Sequence, residues 1–159
     1  MNIRVGFGSD THQLKKDYNL VIGGVKIQHE KGAVGHSDAD VLFHAICDAC
    51  LGASGLRDIG FQFPDTDNAY KEINSGKLLK KVYQLISKKG YKIQNLDSTV
   101  HLENPKISKY IQEMKSNIAS ILKIDPDNVS VKAKTSEKLG PVGREEGIMA
   151  EAVVLLVAD

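Results

Sequence analysis

The sequence predicts an α/β (α+β) two-layer sandwich, in which one mixed β-sheet carries helices on one of its faces. Three observations predict it. Period-two strand patterns and 3.6-period helix patterns succeed one another along 159 residues. The second and third helical segments each carry a single apolar stripe, so each has one face to bury. The last strand, "AVVLLVA", is apolar at both parities, whereas a strand with one wet face alternates. Helices can cover one face of this sheet, and a second copy of the chain is the economical cover for the other. A central strand lying under helices on both sides is the alternative.

The elements follow in order. In "RVGFGSDTHQL" a strand begins with Ile3, Val5 and Phe7 alternating with Arg4, Gly6 and Gly8. "LVIGGVKI" reads as a hairpin turning on Gly23-Gly24. Ser37, with Asp40 three residues on, signals the N-cap of a helix from about Asp38 to Ala53. Residues 57–74, "RDIGFQFPDTDNAYKEIN", form the longest candidate loop. A second helix spans 76–89, capped by Ser75 and stopped by Gly90, with Leu78, Leu79, Val82, Tyr83 and Ile86 on its inner face. "YKIQNLDSTVHL" is a strand. A third helix follows with Ile107, Tyr110, Ile111, Met114, Ile118 and Leu122 inside, then the strand "NVSVKAKT". The connection "SEKLGPVGREEG" leads into the closing strand.

Composition narrows the function. The chain is long enough to bury one core, so residues 1–159 read as a single domain. The net charge is +1 with no basic stripe, which argues against an extended nucleic-acid surface. Cys47 and Cys50 have CxxC spacing but lie inside a helical pattern, where they read as small buried apolar groups and not as a redox pair. The N-terminus has no apolar signal region, and no apolar run is long enough to cross a bilayer, so a soluble, cytoplasmic protein is expected.

The chemistry gathers at a few places. Asp10 and His12 sit at i and i+2 of a strand, on one face, about 6–7 Å apart at their bases, a reach that suits two ligands of one ion. His44 lies on the helix stripe with Val41, Asp48 and Leu51. Two imidazoles and a carboxylate make a catalytic zinc set with one position open. A solvated strand end and a structural histidine are the bland alternatives. Asp48, one turn after His44, is placed to orient a ligand from outside. "GHSD" puts His36 and Ser37 at a helix entrance, which is receptive to phosphate, although plain capping also explains Ser37. Glu137 in "TSEK" can hold a hard cation or make a surface ion pair. "FPDTD" is a turn with two carboxylates, and "NPK" can aim Lys106 at a ligand or simply open a helix.

Three blocks, "DTH", "GHSDADVLFHAICDACLGASGLRDIGFQFPDTD" and "TSEKLGPVGREEG", together resemble the 2-C-methyl-D-erythritol 2,4-cyclodiphosphate synthases, at matching spacings over essentially the whole chain. The resemblance implies a metal-dependent phosphorus-oxygen lyase of the non-mevalonate isoprenoid pathway. Such an enzyme takes 4-diphosphocytidyl-2-C-methyl-D-erythritol 2-phosphate to the 2,4-cyclodiphosphate and CMP. It implies zinc on Asp10, His12 and His44, and Mg²⁺ or Mn²⁺ near Glu137 with the substrate's diphosphate. His36 and Thr135 match positions that stabilise the transition state. Asp10, Thr11, His12, His36, Ser37, Asp58, Ile59, Gly60, Phe63, Pro64, Asp65, Thr66 and Asp67 match segments around the metal and the methylerythritol phosphate. Leu102, Glu103, Asn104, Pro105, Lys106, Ile107 and Ser108, with Lys134, Thr135, Ser136 and Glu137, match the cytidine and diphosphate pocket. The family forms homotrimers with active sites between subunits, which agrees with the doubly apolar last strand.

The chain also departs from the family. Pro141 stands where an aromatic is expected on the axial cavity, and "GREEG" replaces "GRGEG", while Arg144, a position tied to isoprenoid diphosphate binding, is kept. A zinc phosphohydrolase and a non-catalytic, metal-stabilised nucleotide-binding module remain the competing readings.

Overall fold

The computed structural model describes residues 2–64, 66 and 73–158. Five strands form one sheet: β1 (Asn2–Lys16), β4 (Lys31–Ala33), β5 (Lys92–His101), β6 (Val129–Lys134) and β7 (Gly147–Ala158), in the order β4-β1-β7-β5-β6. β1 and β7 run antiparallel from Asn2 opposite Ala158 to Gln13 opposite Gly147, and β5 is antiparallel to β7. β6 is parallel to β5 at the edge, so the sheet is mixed, as the sequence predicts. The separate hairpin β2 (Leu20–Ile22) and β3 (Val25–Ile27) turns on Gly23 and Gly24 at φ of 59° and 74°. That is the doubly left-handed turn which favours glycine and matches strand twist.

The helices α1 (Val41–Ala53), α3 (Ser75–Lys88) and α4 (Ile111–Leu122) lie on one face. α1 rests on β1 and β7, α3 packs on α1 and α4, and α4 also meets β6. Sandwiched in this way, α1 is buried nearly all round, with Cys47 and Cys50 wholly inside. Burial pushes the Cys50 thiol up to about 12, consistent with an unreactive packing role.

The glycines of β1 explain how closely α1 sits. A Cβ on Gly6 would lie 1.9 Å from the Ala49 carbonyl oxygen, and one on Gly8 would lie 2.1 Å from that of Ala45. The opposite face of the same strand is uncovered in the single chain. Ile3, Val5 and Phe7 are 54%, 67% and 60% exposed, and Val153 on neighbouring β7 is 43% exposed. This apolar strip accounts for the double-parity pattern of the last strand.

The structure corrects three local expectations. The cap of α1 is Asp40, not Ser37. Its Oδ1 accepts the N–H groups of Phe43 at 3.1 Å and Gly23 at 2.9 Å, and its Oδ2 accepts that of Gly24 at 2.7 Å. Ser37 instead closes a small turn by accepting from the Ala39 N–H. α3 is capped by Asn74 on the Gly76 N–H, and Ser75 becomes its first helical residue. Within the expected 57–74 loop a helical turn, α2 (Ile59–Gln62), forms with Asp58 as its cap. A further turn, α5 (Gly140–Gly143), precedes β7.

Candidate active site

Two elements build the centre. β1 carries Asp10 and His12 on its helix-facing side, because the alternation that turns Gly6 and Gly8 toward α1 continues through them. α1, drawn close by those glycines, brings His44 over the same point. The result is a triangle of inward-facing atoms. His12 Nε2 lies 2.8 Å from Asp10 Oδ2, His44 Nδ1 lies 3.0 Å from the same oxygen, and the two nitrogens are 3.2 Å apart. It is the only such group of three among the described residues.

The chemistry of the donor set fits a cation. His12 Nδ1 is 2.9 Å from the Val34 carbonyl oxygen, which can only accept, so a ring proton sits there and Nε2 is the nitrogen turned inward. His44 Nε2 is 2.9 Å from Ser75 Oγ, leaving Nδ1 to face the same centre. Two imidazole nitrogens and a carboxylate oxygen this close need either protons or a cation between them. A tetrahedral ion with ligands at about 2.0 Å asks for edges of about 3.3 Å, close to what the three atoms present. Among the protein groups alone, burial works to raise the Asp10 carboxyl. Hydrogen bonds and charge from His12 and His44 outweigh it and hold Asp10 well below the usual carboxylate range. For His12, burial lowers the pKa, but the hydrogen bond and charge of Asp10 prevail and raise it.

The triangle forms part of the wall of a cavity of about 530 Å³. His36, Ser37, Ile59, Gly60 and Phe63 line it too, so the structure gathers these expected substrate-contacting residues around the candidate ion site. Asp58 caps the helical turn that carries Ile59 and Gly60. Asp48 has a different task from the one its spacing suggests: its Oδ1 accepts the Ile59 N–H at 2.7 Å, tying α2 to α1. The outer partner of His44 is Ser75, which in turn hydrogen bonds to Asp38. Neither has a local sequence signal for this role, since the contact spans 31 residues. Thr11, between Asp10 and His12, is exposed on β1, and Pro64 and Thr66 are exposed beyond α2. Asp65 and Asp67 lie outside the described residues.

The other expected residues form a second cluster. The Leu102 N–H bonds to the Lys134 carbonyl at 2.9 Å, and Glu103 Oε2 accepts the Ser136 N–H at 3.0 Å, joining the segment after β5 to the end of β6 and the residues that follow it. The Asn104–Pro105 bond is cis, and Ile107 is buried ahead of the helical turn at Ser108. Lys106, Glu137, Pro141 and Arg144 are exposed. Thr135 Oγ1 lies 3.5 Å from Glu137 Oε1, and Arg144 forms a two-point ion pair with Glu146 at 3.0 and 3.2 Å. None of these residues lines the cavity beside the triangle.

Fold and site define an α/β protein with a two-histidine, one-carboxylate group able to hold a cation at the edge of a pocket. More particularly, the chain belongs to the YgbB family, whose pattern matches residues 3–157. It is similar to the 2-C-methyl-D-erythritol 2,4-cyclodiphosphate synthase of Bacteroides thetaiotaomicron, with 52% identity over 159 residues and 100% of both chains covered. It is also similar to the synthase of the same name from Geobacillus sp., at 56% identity over 96% of this chain and 97% of that one. Among solved structures, IspF of Plasmodium falciparum in a CDP complex superposes with a TM-score of 0.88 and 40% identity, over 99% of this chain and 97% of that one. The bifunctional IspDF of Campylobacter jejuni matches with a TM-score of 0.95 and 42% identity, covering 99% of this chain and 43% of that longer one.

Proposed function

We propose that the chain acts as a 2-C-methyl-D-erythritol 2,4-cyclodiphosphate synthase. The observation that carries this reading is end-to-end similarity, at 52% and 56% identity, to synthases of that name in a chain whose Asp10, His12 and His44 converge on one point. In the reaction, an oxygen of the substrate's 2-phosphate attacks the β-phosphorus of the CDP group. A new P–O bond closes the eight-membered ring, and the bond to the CMP oxygen breaks to release CMP.

Both reacting groups are anions in one flexible molecule, so repulsion and ring closure set the barrier. Asp10, His12 and His44 would hold Zn²⁺ and Glu137 a Mg²⁺ or Mn²⁺ beside the diphosphate; bound there, the cations supply charge that offsets the repulsion. The protein's own groups do the rest. Ser37, Asp58, Ile59, Gly60 and Phe63 hold the methylerythritol phosphate, and residues 102–108 with 134–137 hold cytidine and diphosphate. Fixing both ends of the substrate places the reacting atoms near attack distance, which contributes up to about 7–11 kcal/mol in favourable intramolecular cases. His36 and Thr135 donate to the oxygens that gain charge. Since phosphate is already a nucleophile, no Ser-His-Asp base is needed.

The assembly we infer is a cytoplasmic homotrimer of single-domain chains. The exposed strip of Ile3, Val5, Phe7 and Val153 supplies an apolar surface for a second copy. The separation of the triangle's cavity from the 102–108 and 134–137 cluster supports an active site completed by a neighbouring copy. Phosphorus NMR of the protein with substrate and Mg²⁺ tests the function. CMP and a cyclic diphosphate appear together if the reading holds, whereas a linear phosphate carrying oxygen from labelled water would identify a hydrolase instead.

A further inference from the structure

We propose that Ser75 and Asp38 are positioning residues for His44, forming a one-way hydrogen-bond relay that commits its Nδ1 lone pair to the cation site. The inference deepens the reading of Asp10, His12 and His44 as that site and rests on it.

The direction of the relay follows from what each group can do. Asp38 accepts through both oxygens: Oδ2 takes the Ser75 N–H at 3.1 Å, and Oδ1 takes the Ser75 hydroxyl. A carboxylate offers no proton, so the Ser75 O–H must point at Asp38. Ser75 Oγ, its proton committed, then has only lone pairs to offer His44 Nε2 at 2.9 Å. Nε2 therefore carries a proton, and Nδ1, 3.0 Å from Asp10 Oδ2, is the nitrogen left to give its lone pair to a cation. In the opposite orientation Ser75 would donate to Nε2 and leave its oxygen lone pairs facing an Asp38 oxygen.

Ser37 does not serve as well. Its hydroxyl is farther from Nε2, at 3.3 Å, accepts the Ala39 N–H, and has Ser75 Oγ at 3.4 Å to take its proton. Ser75 is wholly buried, so water does not replace its oxygen when it is removed. Its backbone and side chain both bond to Asp38, which ties the first residue of α3 to the turn before α1, where His44 lies. The ring's outer nitrogen is held from two helix ends at once, as the outer partners of metal-ligating histidines commonly hold theirs.

The test uses the full chain labelled with ¹⁵N-histidine, with His44→Ala assigning the His44 signals. Long-range ¹H–¹⁵N spectra of zinc-loaded wild-type protein should show a His44 Nε2–H signal that exchanges slowly with solvent. Ser75→Ala and Asp38→Asn should each speed the exchange of that proton. Competition with a chromophoric chelator should show Zn²⁺ affinity falling about 10–100-fold in both variants. Asn74 still caps α3 in Ser75→Ala, and Asp38→Asn keeps the side chain's shape, so both variants keep the fold. Wild-type exchange of the His44 Nε2 proton in both variants, or zinc affinity within about twofold of wild type in both, overturns the relay. Wild-type protein that takes up no zinc overturns the cation-site reading instead, a result distinct from the difference between the variants and wild type.

Discussion

Gly8 of β1 and Ala45 of α1 approach so closely that a Cβ on the glycine would stand 2.1 Å from the Ala45 carbonyl oxygen. Ala45 is the neighbour of His44, so the contact that admits the helix also sets the height of the ligand above Asp10 and His12. Gly8→Ala must push backbone and not a flexible side-chain end. We expect a loss of about 2–3 kcal/mol in unfolding free energy, together with reduced zinc content. Urea unfolding and elemental analysis check both, and wild-type values for either contradict the packing argument.

His44→Ala separates the site from the fold. The remaining apolar residues of α1 stay buried, so the variant should fold with a stability loss of only about 1–2 kcal/mol. Zinc affinity should fall by more than about 100-fold, beyond the cost of losing an outer partner, and removing the metal from wild type with a chelator should abolish cyclisation. Full metal content in the folded variant would show that the triangle is not the binding site.

Phe7, 60% exposed beside Val5 at 67%, tests the apolar strip. In Phe7→Asp an unpaired carboxylate would enter a dry interface, at a cost of several kcal/mol. Sedimentation velocity should show a trimer for wild type and smaller species for the variant, while circular dichroism stays unchanged. A variant that sediments like wild type would place the interface elsewhere.

Asp40 predicts a pH dependence. Burial pushes its carboxyl up to about 6 from the usual 3.8, helped by the charge of Asp38 and opposed by hydrogen bonds from the Gly24, Phe43 and Gly23 N–H groups. Because the folded pKa lies above the unfolded one, the group's stabilisation is fully present below about pH 4. It is lost as pH rises through 6, by roughly 3 kcal/mol at most. Asp40→Asn cannot ionise. Although it loses an acceptor for one glycine N–H, its unfolding free energy relative to wild type should rise between pH 4 and pH 7.5. Urea midpoints of the metal-free proteins over that range measure it, and a constant difference would contradict the buried-carboxyl account.

The parts legible in the sequence were those governed by local period. Alternation in β1 placed Asp10 and His12 on the face of Gly6 and Gly8, and the helical stripe placed His44 toward the same layer. The errors came where a distant partner decided. Ser37 and Asp40 are both able caps, and Asp40 wins because it can also take the N–H groups of Gly23 and Gly24 in a hairpin the local pattern cannot position. Ser75 has the side chain of a cap, but the fold directs its hydroxyl away from its own helix to Asp38 and His44. Asp48 sits at the right spacing for His44 but meets the Ile59 N–H, because α2 folds over it.

The central claim is that Asp10, His12 and His44 hold a single ion, and anomalous scattering from crystals of the zinc-loaded protein tests it most directly. We predict one peak per chain, about 2.0–2.2 Å from Asp10 Oδ2, His12 Nε2 and His44 Nδ1. A zinc peak bound by other groups, with these three atoms still facing one another without it, would contradict the account.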